Sequence, residues 1–122
     1  MLIPGFYTIE NFKQSADRVD VQIRFNPDHE VYAGHFPEQA VVPGVIQLQL
    51  IKELVEKSIK KKLQISEMTF AKFLNTIIPT NRPLFDFEIS YQEDGQQLRV
   101  STTIKDERLV YTKVKATMSF TD

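Results

Sequence analysis

The sequence predicts an α+β domain in which an antiparallel sheet wraps around one long central helix. Three observations lead there. Residues 19–25 alternate apolar and polar with a period of two. A single long helical pattern opens at Gly44, apolar round most of its circumference over its first two turns. Beyond it, alternating patterns recur between turn signals to the end of the chain. A sheet that follows one such helix has to cover it.

The first strand is VDVQIRF, with Val19, Val21, Ile23 and Phe25 on one face and Asp20, Gln22 and Arg24 on the other. Asn26-Pro27-Asp28 reads as a turn, and His29 beside it as a surface residue. The helix carries Val45, Leu48, Leu50, Ile51, Leu54, Val55 and Ile59 and is expected to run to about Lys62. Its second half, KELVEKSIKKK, is amphipathic and closes on lysines, which the negative end of the helix dipole favours.

Residues 67–75 are mixed in pattern. Residues 84–92 alternate through Phe85, Phe87, Ile89 and Tyr91, then Glu93-Asp94-Gly95 signals a turn. Residues 98–104 and 110–120 alternate again, separated by Asp106-Glu107-Arg108. Phe70, Phe73, Phe85 and Phe87 are assigned to the core. One sheet around one helix leaves an open edge, so a homodimer or higher even-numbered oligomer is expected.

The 122 residues suggest one domain, 1–122, and 42% hydrophobic residues suffice for a core. A net charge of −1 lacks the basic excess that nucleic acid binding uses. The absence of cysteine removes disulfides, zinc-thiolate sites and thiol nucleophiles. No metal site or cofactor is indicated by the histidine and carboxylate spacing. The apolar runs fall short of the roughly 18 residues of a membrane span, and the N-terminus lacks a basic leader pattern. The expectation is a cytoplasmic protein that binds neither membrane nor nucleic acid.

The chemistry concentrates in GHFPEQAVVPGV, residues 34–45, followed by a helix interrupted by Gln47 and Gln49. This stretch resembles the GHFPxxPxxPGV signature of the hot-dog-fold (3R)-hydroxyacyl-acyl-carrier-protein dehydratases of the FabA and FabZ types. KFLNTIIPTNRPLFDFEISY is similar to their following strand region, and the likeness covers about residues 18–120. The resemblance implies a hot-dog fold, a substrate that is an acyl carrier protein or coenzyme A thioester, and a site shared between two subunits. It implies His35 as the base that removes the α-proton, since a neutral imidazole accepts protons near neutral pH. Gly44 matches the glycine whose N–H holds the thioester oxygen, and a helix tip is suited to that task. Phe36, Pro43, Val45 and Glu53 would line the substrate.

The family's acid, a glutamate or aspartate five residues after the glycine, falls on Gln49 here. An amide can donate a hydrogen bond and orient water but cannot deliver a proton. Loss of general-acid help costs about 10²–10⁴ in rate. Glu53 lies one turn further along the same face, where a water between it and Gln49 is conceivable. Gln47 must point nearly opposite to Gln49, so only one amide can face the site. Three functions stay open: dehydration, a non-catalytic acyl-thioester-binding partner subunit in a hot-dog heterodimer, and acyl thioester hydrolysis.

Overall fold

The computed structural model describes residues 5–30, 32, 40–80 and 84–121. Its strands are β1 (Tyr7–Gln14), β2 (Arg18–Phe25), β3 (Leu63–Phe73), β4 (Leu84–Asp94), β5 (Gln97–Lys105) and β6 (Val110–Phe120), and its long helix is α1 (Gly44–Ile59). The strands form one six-stranded sheet in the order β1-β2-β4-β5-β6-β3, antiparallel throughout. The sheet lies against α1, and this is the hot-dog arrangement.

Alternation explains the packing. The inward residues Val19, Val21 and Ile23 of β2 meet Ile89, Phe87 and Phe85 of β4 in register, and these six and Phe25 are at most 2% exposed. Leu50, Ile51, Leu54 and Val55 of α1 are equally buried. Burying each such side chain fully contributes about 1.5–3 kcal/mol relative to exposure. Phe25 stacks edge-on against Phe6 and Phe85, and Phe85 edge-on against Tyr111.

Four details differ from the expectations. β1 was not foreseen: its inward residues Tyr7, Ile9, Phe12 and Gln14 lose strict alternation at a bulge between Ile9 and Asn11. β3 begins at Leu63, and its mixed appearance comes from two bulges, at Ile65/Glu67 and Met68/Phe70. α1 stops at Ile59 instead of near Lys62. Lys60 turns left-handed (φ 60°) and donates its N–H to the Glu56 carbonyl at 2.7 Å, ending the helix as a cap does.

The last difference concerns the aromatics. Phe85 and Phe87 are core, but Phe70 and Phe73 on the edge strand β3 are 36% and 49% exposed. His29 is half-buried, its ring edge-on against Phe6 at 5.5 Å. No helix among the described residues is long and apolar enough to cross a membrane.

Candidate active site

The site is built on the first turn of α1. Val42 donates its N–H to the Ile77 carbonyl at 3.0 Å, pinning the approach to the helix against the segment before β4. Pro43 follows in extended conformation (φ −64°, ψ 152°), the geometry its ring prefers. The Pro43 carbonyl accepts from both Ile46 and Gln47 N–H at 3.1 Å. Among the described residues, the N–H groups of Gly44 and Val45 have no acceptor. Two open donors at the positive end of a helix dipole make a place for an oxygen carrying negative charge.

Gly44 is held tightly from one side. A Cβ there would meet the Phe73 ring at 2.7 Å from Cζ, so glycine is what lets β3 approach the helix tip. Val45, immediately after it, is 73% exposed.

The two amides separate as the helical geometry requires. Gln47 is 3% exposed and faces the sheet. Its Nε2 donates to the Val42 carbonyl at 3.0 Å, and its Oε1 accepts from the Thr112 hydroxyl at 2.6 Å. A buried amide so satisfied on both ends is a structural element. Gln49 is half-buried on the other face, and its Nε2 donates to Glu53 Oε2 at 3.3 Å. The direct bond replaces the water bridge considered from the sequence.

Glu53 also faces β1. Together with Tyr7, Ile9, Leu54 and Lys57 it lines a groove of about 660 Å³ between β1 and the second half of α1. Burial, and then the Glu53 charge, push the Tyr7 phenol above its ordinary value. Tyr7 and Thr112 were missed as neighbours of the site, and Phe73 was placed in the core. Both β1 and β3 had lost their alternation to bulges, and nothing in a linear pattern brings Thr112 to Gln47. His35 and Phe36 lie outside the described residues, so what the structure brings together is Gly44, Val45, Gln49 and Glu53 on one helix, with Pro43 just before it.

Comparison with known proteins gives the family of the chain. The sequence model of the ApeI-like family, described as ApeI dehydratase, matches residues 11–114. The chain belongs to the ApeI-like dehydratase family. Among solved structures this ApeI-like chain is similar to the dehydratase heterocomplex ApeI:P from Xenorhabdus doucetiae, with TM-score 0.74 and 18% identity over 92% of this chain and 96% of that one. It is also similar to a hypothetical thioesterase with coenzyme A from Streptococcus pneumoniae (TM-score 0.67, 16% identity, 98% and 90% covered). A third likeness is Cj0977, a sigma28-regulated virulence protein from Campylobacter jejuni (TM-score 0.72, 10% identity, 100% and 88% covered). Identities this low establish the shared hot-dog fold. No curated protein matches the chain.

For an ApeI-like dehydratase the groups in hand have distinct capacities. The Gly44 and Val45 N–H pair can hold an oxyanion, and the Gln49 amide can hold a hydroxyl.

Proposed function

We propose that this chain eliminates water from a 3-hydroxyacyl thioester carried by an acyl carrier protein or coenzyme A, in fatty acid or related acyl-chain biosynthesis. The observation that carries the reading is that, among the described residues, the N–H groups of Gly44 and Val45 on the tip of α1 have no acceptor. An α-proton beside a thioester becomes removable only if the charge arriving on the carbonyl oxygen is stabilised. Preformed donors at a helix tip do that without reorganising, and removing one such donor costs about 10²–10³ in rate.

His35 takes the α-proton in this reading. The electron pair then forms the Cα–C3 double bond as the C3–O bond breaks; the hydroxyl takes a proton from solvent and leaves as water, and the His35 imidazolium gives its proton back to solvent. Gln49 holds that hydroxyl through an amide N–H. The active assembly is a homodimer or a larger even-numbered oligomer. Val45, Met68, Phe73 and Leu74 are 73%, 37%, 49% and 53% exposed round the helix tip and the edge strand β3, and a second chain would cover them.

The test is turnover of a 3-hydroxyacyl coenzyme A thioester to the enoyl product by the purified protein. Activity above a His35→Ala control supports the reading, and none above it defeats the reading. Release of free thiol in the same assay would identify hydrolysis instead.

A second reading has one observation in its favour: the amide of Gln49 stands where a carboxyl is needed. The chain would then be the acid-deficient partner in a hot-dog heterodimer, and its likeness to a protein from a dehydratase heterocomplex is in keeping with that. Enoyl formation that appears only after adding a second hot-dog chain bearing the carboxylate would establish it.

A further inference from the structure

We infer that the groove between β1 and the second half of α1 takes coenzyme A, with its phosphates on Lys57, Lys60, Lys61 and Lys62. Coenzyme A is one of the two carriers in the thioester reading above, on which this inference rests. The stretch KSIKKK places four lysines within six residues, and no carboxylate interrupts them. All four are exposed and line the groove of about 660 Å³. The helix dipole accounts for Lys57 in the last turn. It does not account for Lys61 and Lys62, which lie beyond the helix end at Ile59.

Lysines this close repel one another unless an anion lies among them. Lys57 Nζ rests over the Phe12 ring at 5.9 Å and Lys61 Nζ over the Phe120 ring at 5.0 Å. Among the described residues, none of the four forms an ion pair with a carboxylate. Glu53 and Glu56 line the same groove. Glu56, however, pairs with Lys52 at 3.6 Å and accepts the Leu63 N–H at 2.8 Å. Four lysines against two carboxylates, one of them balanced by Lys52, leave this end of the groove positive.

Charge and shape select the occupant. The phosphates of coenzyme A carry about four negative charges at neutral pH, up to two of them on the 3′-phosphate. An acidic protein spreads its charge over a wide face, and beyond this cluster the chain has eleven basic residues against sixteen acidic ones. A lipid surface asks for apolar side chains presented beside the cations. Among the described residues the large exposed ones, Val45, Met68, Phe70, Phe73, Leu74 and Leu109, do not line this groove. Ile9, Leu54 and the Tyr7 ring give it an apolar lining instead, suited to a slender pantetheine arm. Lys57, Glu53, Gln49 and Val45 follow at four-residue intervals along one stripe of α1. Lys57 stands about 18 Å along the axis from Val45, a span that an extended pantetheine arm covers. A nucleotide on the lysines thus leaves the thioester at the helix tip.

The experiment titrates coenzyme A into the full chain by calorimetry, beside 3′-dephospho-coenzyme A, inorganic pyrophosphate, a holo acyl carrier protein and phosphatidylglycerol vesicles. Coenzyme A should bind, and the dephospho form should bind about 10-fold more weakly. In the variant Lys60→Asn/Lys62→Gln, asparagine suits the left-handed turn at 60. With both positions exposed, the variant should unfold at the wild-type temperature, while its Kd for coenzyme A rises about 10-fold or more. An unchanged Kd in the variant, or no binding of coenzyme A by wild type, overturns the inference. So does pyrophosphate bound as tightly as coenzyme A, which would mean that the lysines only gather anions. Carrier protein or vesicles held through the same two lysines, with coenzyme A unbound, would assign the cluster to another partner and overturn it too. Enoyl formation is measured separately. Binding of coenzyme A without turnover defeats the dehydratase reading alone, and turnover without binding of coenzyme A defeats this inference alone.

Discussion

Thr112 donates its hydroxyl hydrogen to Gln47 Oε1 across 2.6 Å, joining β6 to the first turn of α1. The same amide donates to the Val42 carbonyl at 3.0 Å, so one side chain ties the sheet, the helix and the strap leading into it. Both Thr112 (0% exposed) and Gln47 (3% exposed) are out of water. Their bonds therefore matter chiefly through what is left behind if one is broken.

Thr112→Val should destabilise the fold by about 1–3 kcal/mol, because it strands the Gln47 oxygen in the core. Gln47→Ala should cost more, since it strands two groups and opens a cavity. Urea denaturation of Gln47→Leu, Thr112→Val and their combination gives a double-mutant cycle. The double variant should lose less than the two single losses added together. Strict additivity would show that the bond contributes nothing.

Gly44→Ala separates the two tasks of the glycine. The new methyl would lie 2.7 Å from Phe73 Cζ, but that ring is 49% exposed and can swing aside. Alanine also favours the helix by about 1 kcal/mol over glycine. Thermal unfolding should therefore move little, while turnover falls about 10²-fold as the methyl crowds the open N–H groups. Adding Phe73→Ala relieves the contact and should leave turnover low. Recovered activity in that double variant would mean that glycine is needed only for packing.

Much of this arrangement was legible in the sequence because the physics that sets it is periodic. β2, β4 and β5 alternate through their buried residues, β6 does so from Thr112 on, past a register shift at its start, and all four were found within a few residues of their bounds. β1 and the start of β3 were not, because each bulge shifts the apolar residues to the other parity. The helix end was overrun because Lys60 adopts a left-handed conformation that a lysine does not advertise. Helical geometry required Gln47 and Gln49 to diverge, yet which amide is buried depends on Thr112, 65 residues away. The Gln49–Glu53 contact follows from spacing alone, whereas Tyr7 beside it came with the strand that was missed.

The exposed apolar rim makes a prediction about assembly. Met68 and Leu74, at the edge strand and just beyond it, are 37% and 53% exposed. Lysines there should leave the chain's own stability within about 0.5 kcal/mol, as for most surface changes. They should also block pairing at this edge, as lysines on edge strands do. Light scattering should find wild type as a dimer or larger and Met68→Lys/Leu74→Lys as a monomer. A monomeric wild type would remove the case for an oligomer at this edge.

Tyr32 offers a test that is independent of catalysis. It is 5% exposed, and among the described residues its hydroxyl has no hydrogen-bond partner. Burial pushes its phenol from 10.0 up to about 12. The folded state therefore keeps its proton where the unfolded state has lost it. Stability is fully present below the unfolded value near 10.0, and falls as pH rises through about 12. A shift of this size corresponds to about 2–3 kcal/mol at most. Tyr32→Phe removes both the stranded hydroxyl and the titration. It should raise stability at neutral pH by about 1–2 kcal/mol and move alkaline unfolding to higher pH. Urea midpoints at neutral and alkaline pH would measure both effects, and a Phe variant less stable at neutral pH would mean that the hydroxyl has a partner after all.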